Sequence, residues 1–191
     1  MKIKLIIFAL IFNSVFAFSQ KVVEQSIDKP SEGKSLVYFL RYSSTGALLN
    51  FRLYDGDKFL YKFPYGEYLV YECDPGKHIF WVTSENRDYV DADLEPNSTY
   101  VINIQGQMGA FIASVALNPM NPNEKRDKKW LYKEVKNAKK VIYSPEMAGN
   151  EDKTENVRKA MLKYEDLKKN NSSKIKALTA DMKFENANKP E

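Results

Sequence analysis

Short apolar or alternating stretches, each closed by a turn signal, run through the middle of the chain. Leu36–Tyr42 is rich in β-branched and aromatic side chains, and Phe51–Tyr54 alternates. Asp55-Gly56-Asp57 separates the latter from Lys58–Phe63. Asp-Gly between two such runs is a strong hairpin signal, because the turn needs positive φ. Pro64-Tyr65-Gly66 leads into the alternating Glu67–Glu72. Asp74-Pro75-Gly76 leads into His78–Thr83, with proline fixing one turn φ and glycine free to take the next. Tyr89–Glu95, Thr99–Ile104 and Gly109–Leu117 complete the series. About eight short strands at spacings near ten residues predict a sandwich or barrel. No helical period interrupts them, which argues against parallel βαβ units and their nucleotide crevices. The expected fold is mainly β, an antiparallel β-sandwich over residues 35–117.

The period changes after Asn123. Leu131, Val135 and Ala138 mark a helical stripe in Glu124–Lys140, with Trp130 and Tyr132 beside it. Pro145 and Gly149 break that pattern. Asn150-Glu151-Asp152-Lys153 then reads as an N-cap and acidic first turn for a helix carrying Val157, Ala160, Met161, Tyr164 and Leu167. Ile175, Leu178 and Met182 form a last weak helical stripe, and Asn186–Glu191 is expected to fray. Residues 118–191 are thus expected to form a basic, helical C-terminal extension.

At the other end, Lys2 and Lys4 precede the apolar run Leu5–Phe12, and small residues stand at Ala17 and Ser19. That is the pattern of a secretory signal peptide over residues 1–19, cleaved before Gln20, with 20–34 as a linker. The apolar run falls short of the roughly 20 residues that cross hydrocarbon, so no transmembrane segment is expected after cleavage. The one cysteine, Cys73, lies far from this region, so the chain is not expected to be a lipoprotein. The expected compartment is extracytoplasmic, either periplasmic or secreted.

Composition narrows the chemistry. Of 191 residues, one is Cys and one is His, which excludes an intramolecular disulfide and a Cys/His zinc cluster. No metal site or cofactor is expected. Without Lys2 and Lys4 the chain holds 27 basic and 25 acidic residues. Residues 20–117 carry 9 basic and 13 acidic groups, whereas residues 118–191 carry 18 and 12. Such asymmetry predicts two structural units, an acidic body and a basic tail.

Val37-Tyr38-Phe39-Leu40-Arg41, Tyr54-Asp55-Gly56, Tyr71 leading into Pro75-Gly76-Lys77-His78, Ser84-Glu85-Asn86, and Tyr100 after Pro96-Asn97 occur in this order. In these features the chain resembles the bacterial secreted or lipoprotein family catalogued as domain of unknown function 2846. The resemblance spans roughly residues 35–117 and implies a small β-sandwich in the cell envelope, with no activity to carry over. The chain departs from lipid-anchored members in lacking a lipobox cysteine. It also has Pro96-Asn97 where a Pro/Ala-Gly turn is more familiar.

His78 is the one imidazole available as a general base. A hydrolytic triad would need Ser84 or Ser114 as nucleophile and Asp74 or Glu72 as orienter, and the sequence holds no Gly-x-Ser-x-Gly elbow. Local hydrogen bonding at the Pro-Gly turn is the expected role of His78. Cys73 is expected to pack as a small apolar residue. Asp91, Asp93 and Glu95 alternate with apolar neighbours, as on a half-wet strand; Asp55 and Asp57 lack a calcium-loop spacing. Aromatic residues are in surplus, sixteen between positions 36 and 111. Tyr68 and Tyr71 point to opposite faces of one strand, so either the C-terminal helices cover one of them or it offers a stacking surface. Weak binding candidates are therefore Tyr68, Tyr71 and Trp81, with Trp130 and Tyr132 on the basic helix, which could meet an anionic surface. The expectation is an exported, non-catalytic binding or scaffolding module of the bacterial cell envelope. Its expected partner is an envelope component (protein, glycan or anionic surface) and not nucleic acid. Glycan binding through exposed Tyr/Trp and a hydrolase using His78 or the acidic cluster are the alternatives.

Overall fold

A computed structural model describes residues 27–108, 113–149 and 153–190. The expected leader and the Asn150–Asp152 part of the expected N-cap lie outside these residues. The chain order is β1 (Ser35–Leu40), β2 (Phe51–Asp55), β3 (Lys58–Phe63), β4 (Glu67–Cys73), β5 (Gly76–Thr83), β6 (Arg87–Leu94), β7 (Ser98–Met108) and β8 (Ala113–Pro119). There follow α1 (Lys125–Asn137), β9 (Lys139–Ile142), a 3-10 turn (Pro145–Ala148), α2 (Thr154–Lys169) and β10 (Ile175–Leu178). The strands form two five-stranded sheets, ordered β8-β7-β1-β4-β9 and β10-β6-β5-β2-β3. The mainly β sandwich with a helical C-terminal segment is therefore present.

Alternation along each strand builds the core. Val37 and Phe39 of β1, Leu69 and Tyr71 of β4, and Tyr100, Ile102 and Ile104 of β7 face the second sheet. They meet Leu53, Phe80, Val82 and Val90 there. The remaining positions of the first sheet are also apolar: Leu36, Tyr38, Leu40, Tyr68, Val70 and Val101 face outward and are buried beneath Leu131 of α1, joined by Phe184 and Ala187. On the second sheet, Tyr54, Trp81 and Tyr89 face outward and are buried beneath Ala160 and Tyr164 of α2. The layers are thus helix, sheet, sheet, helix, and both helices come from the basic segment.

Four local expectations change. The sheets are mixed, because β1–β7, β4–β9 and β6–β10 pair in parallel. Turn signals report neighbours joined by hairpins, whereas parallel pairs join strands distant in sequence and carry no turn signature. Ile175–Leu178, expected as helix, is strand β10, since its apolar residues complete the edge beside β6. The first C-terminal helix stops at Asn137, and Lys139–Ile142 extends along β4. Ala187, expected to fray, is buried beside Phe184.

The charge asymmetry closes within the molecule. Lysines of the basic segment pair with carboxylates of the acidic body: Lys139 with Glu67, Lys140 with Asp28, Lys168 with Asp91, Lys176 with Asp88, and Lys183 with Glu95. Exposed pairs each contribute at most ~1 kcal/mol, so they orient the segment more than they hold it.

Two backbone positions fix the sandwich ends. Gly56 takes φ +56° in the β2–β3 turn, as the Asp-Gly signal requires. Gly106 lies under the β1–β2 loop so closely that a Cβ there would sit 2.3 Å from the Thr45 carbonyl oxygen. Gly106→Ala must displace that loop and should cost about 1–3 kcal/mol by chemical denaturation. An unchanged midpoint would show that the loop does not rest on β7.

Candidate functional site

Under one edge of α1 the first sheet is left partly uncovered, and a cleft of about 610 Å³ opens there. The β1–β2 loop supplies one wall, with Tyr42, Ser43 and Ser44; α1 supplies the other, with Trp130, Lys133, Glu134 and Asn137. Asn103 and Gln105 of β7 form the floor, and Tyr65 of the β3–β4 turn stands at the rim, 46% exposed.

Arg41 holds the loop wall in place. Its side chain is fully buried and donates to the carbonyl oxygens of Leu49 (2.8 Å), Phe63 (2.8 Å) and Gly46 (2.6 Å). The guanidinium also lies 4.1 Å from the Phe51 ring centroid. The terminal nitrogens of the planar fork thus serve three carbonyls at once, while the buried Nε is left without a partner. With Gly106 allowing close approach from below, the loop is clamped rather than free.

Two cleft residues, one on the floor and one on the α1 wall, are conspicuous because each buries an oxygen without a partner. Asn103 is 2% exposed and Glu134 7% exposed, yet neither Asn103 Oδ1 nor Glu134 Oε1 has a hydrogen-bond partner. The Arg41 backbone N–H serves the Glu134 carboxyl but does not offset its burial, which pushes that carboxyl up to about 7. Leaving a buried polar atom unmet costs about 1–3 kcal/mol, so a hydrogen-bond donor that reached these two oxygens would recover that cost.

The predicted aromatic candidates fare differently. Tyr68 is buried beneath α1, Tyr71 lies in the inter-sheet core, and Trp81 is stacked 3.9 Å from Tyr54 beneath α2. None of these three offers a ring face to a ligand: the C-terminal helices cover Tyr68 and Trp81, and the two sheets enclose Tyr71 between them. Trp130 does line the cleft, but its ring is sandwiched between Tyr42 (5.2 Å) and Arg126 (5.0 Å), so it presents an edge. Tyr132 lies outside the cleft, with the Lys136 ammonium 5.6 Å from its ring. Sequence reasoning missed Tyr42, Asn103, Lys133 and Glu134. A signal existed for two of them: Asn103 shares a strand face with Val101, and Glu134 falls three residues after Leu131 on the buried stripe. Each is a polar group where the period calls for an apolar one.

His78 is engaged at the opposite role. Its Nδ1 lies 2.8 Å from Asp55 Oδ2 and its Nε2 2.9 Å from the Asp74 carbonyl oxygen. Both partners are acceptors, so both ring nitrogens carry protons. The Asp55 hydrogen bond, with help from Cys73 and against the effect of burial, raises His78 to about 10. Tyr71 donates to the same Asp55 oxygen at 3.0 Å, tying core to turn. Asp74 and Glu72 are directed elsewhere, to Lys34 and Ser31. Ser84 lies beyond the far end of β5, about 20 Å along the strand from His78. Ser114 sits on the other sheet, and Cys73 is buried with its thiol toward the Ser35 carbonyl. Asp91, Asp93 and Glu95 pair with Lys168, Lys77 and Lys183. Among the described residues no cluster of three His, Cys, Asp or Glu side chains is placed to hold a metal ion, and no helix is long and apolar enough to cross a membrane.

No family model matches the chain, and no curated protein or solved structure matches it either.

The His78–Asp55 pair gives a pH prediction. Folded His78 binds its proton more tightly than an unfolded histidine at ~6.5, so the stabilisation is complete below that value and is lost as pH rises through about 10. Asp55→Asn should therefore cost about 2–3 kcal/mol near pH 6 and progressively less toward pH ~10.5, read from urea midpoints of both proteins. A difference that stays constant across this range would contradict the ion pair.

Proposed function

We propose that the protein is an exported, non-catalytic binding module of the bacterial cell envelope, and that the cleft beneath α1 receives the polar ligand or the polar end of a partner. The observation that carries this reading is the pair of buried, unpartnered acceptors, Asn103 Oδ1 and Glu134 Oε1, in one clamped cleft. Export is supported by the leader-like pattern of residues 1–19, and an envelope role is what the resemblance of the turn motifs to the domain-of-unknown-function family implies.

The absence of catalysis is supported by His78, whose two nitrogens are committed to Asp55 and Asp74. Ring stacking on the sandwich face, the basis of the glycan alternative, has lost Tyr68, Tyr71 and Trp81 to the core. What remains is polar recognition in the cleft, with Tyr65 and the edge of Trp130 at its margin.

The test is co-sedimentation of the purified protein with separated outer-membrane and peptidoglycan fractions. The protein should pellet with one of them. Ser44→Trp, a substitution at the exposed rim that fills the cleft, should weaken pelleting about tenfold, equivalent to ~1.4 kcal/mol. Absence of pelleting with either fraction would contradict an envelope-binding role. Pelleting untouched by Ser44→Trp would move the surface away from the cleft.

A further inference from the structure

We propose that the cleft beneath α1 is built for a protonated primary amine, seated between the Asn103 amide oxygen and the Glu134 carboxylate. This rests on the reading of the cleft as the ligand site and names the chemistry that enters it.

The donor–acceptor inventory points this way. Both unpartnered cleft oxygens are acceptors, and both side chains are more than nine-tenths buried. A hydroxyl brings one hydrogen and two lone pairs, whereas an ammonium brings three hydrogens and no lone pair. A group that must meet two acceptors in a confined space is therefore better an ammonium. Charge points the same way. Among the described residues, Glu134 has no cationic partner within hydrogen-bonding distance. Arg41 reaches the carboxyl through its backbone N–H alone, and its terminal guanidinium nitrogens go to the carbonyls of Leu49, Phe63 and Gly46. Lys133, next in the helix, reaches the Tyr42 hydroxyl at 3.4 Å and lies over that ring. From β4, Tyr68 faces the carboxyl, and burial together with the charges of Asp28 and Glu134 keeps its phenol protonated. A bound cation thus supplies the counter-charge that the fold withholds, and the half-exposed Tyr65 ring at the rim suits a cation as well.

A proton is linked to the event. Burial holds the free Glu134 carboxyl near neutrality, at about 7, and an ammonium beside it favours the charged form. Binding must then release a proton below that value and strengthen as pH rises toward 8. The amine could come from an amino sugar or from an aliphatic amine of the lysine or diamine type, and the two sources differ in the neighbouring hydroxyls.

Isothermal titration of the full protein with matched pairs separates these possibilities: 1-amino-1-deoxyglucitol against glucitol, and 1,5-diaminopentane against 1,5-pentanediol. Each is run near pH 5.5 and pH 8, in two buffers of different ionisation enthalpy. At least one amine should bind about tenfold or more tightly than its alcohol parent, and about tenfold more tightly at the higher pH, with proton release at the lower. The responding arm identifies the source. Glu134→Gln, checked for folding by near-ultraviolet circular dichroism, should erase both the amine preference and the pH dependence. The wild-type amine–alcohol comparison stands even if that variant does not fold. Equal binding of amine and alcohol would overturn the amine proposal while leaving the cleft a ligand site. Absence of binding by every probe would overturn the amine proposal too. The broader reading is judged separately, by pelleting and its sensitivity to Ser44→Trp.

Discussion

Each sheet carries large apolar side chains on both of its faces, and the rest of the structure follows from covering them. The inner faces cover one another. The outer faces carry Tyr38, Leu40, Tyr68 and Val101 on one side and Tyr54, Trp81 and Tyr89 on the other. Exposing a large apolar side chain costs about 1.5–3 kcal/mol, so a sandwich ending at Leu117 would forfeit more than a domain's usual stability margin. The C-terminal segment therefore belongs to the fold: α1 and α2 supply the missing layers, while β9 and β10 extend the sheet edges. Its lysines meet the body's carboxylates as it does so, which turns a lopsided charge distribution into an internal match.

The strands were legible because local chemistry dictated them. Asp55-Gly56 makes its hairpin, Pro75-Gly76 punctuates β4 and β5, and the alternation of β4 assigns Tyr68 and Tyr71 to opposite faces as observed. What sequence could not supply is pairing at a distance. Nothing local says that Leu36 lies beside Thr99, or that Ile175 joins Tyr89 as a strand rather than continuing a helix. Short apolar runs are ambiguous until a partner strand is present, and β10 with its four residues is such a run.

The candidate site was legible only at its margin. Trp130 was singled out for its position on the basic helix, and it does line the cleft, though sandwiched rather than open. Of the aromatic surplus, Tyr68 and Trp81 are covered by the helices and Tyr71 by the opposing sheet. Asn103 on the floor and Glu134 on the α1 wall are inconspicuous alone and become meaningful when an oxygen of each is seen buried without a partner. Arg41 illustrates the same limit: one buried guanidinium shapes the loop wall by holding three carbonyls drawn from two segments.

The central claim is that the C-terminal segment and the sandwich form a single cooperative unit, with the cleft lying where the two meet. Native-state hydrogen exchange across a shallow denaturant series tests this most directly. Amides of α1 around Leu131 and of α2 around Ala160 should merge with those of β1 and β7 into one global opening. If either helix instead exchanges through its own opening, far less protected than the strands, the outer layers are appendages and the cleft is not a fixed part of the fold.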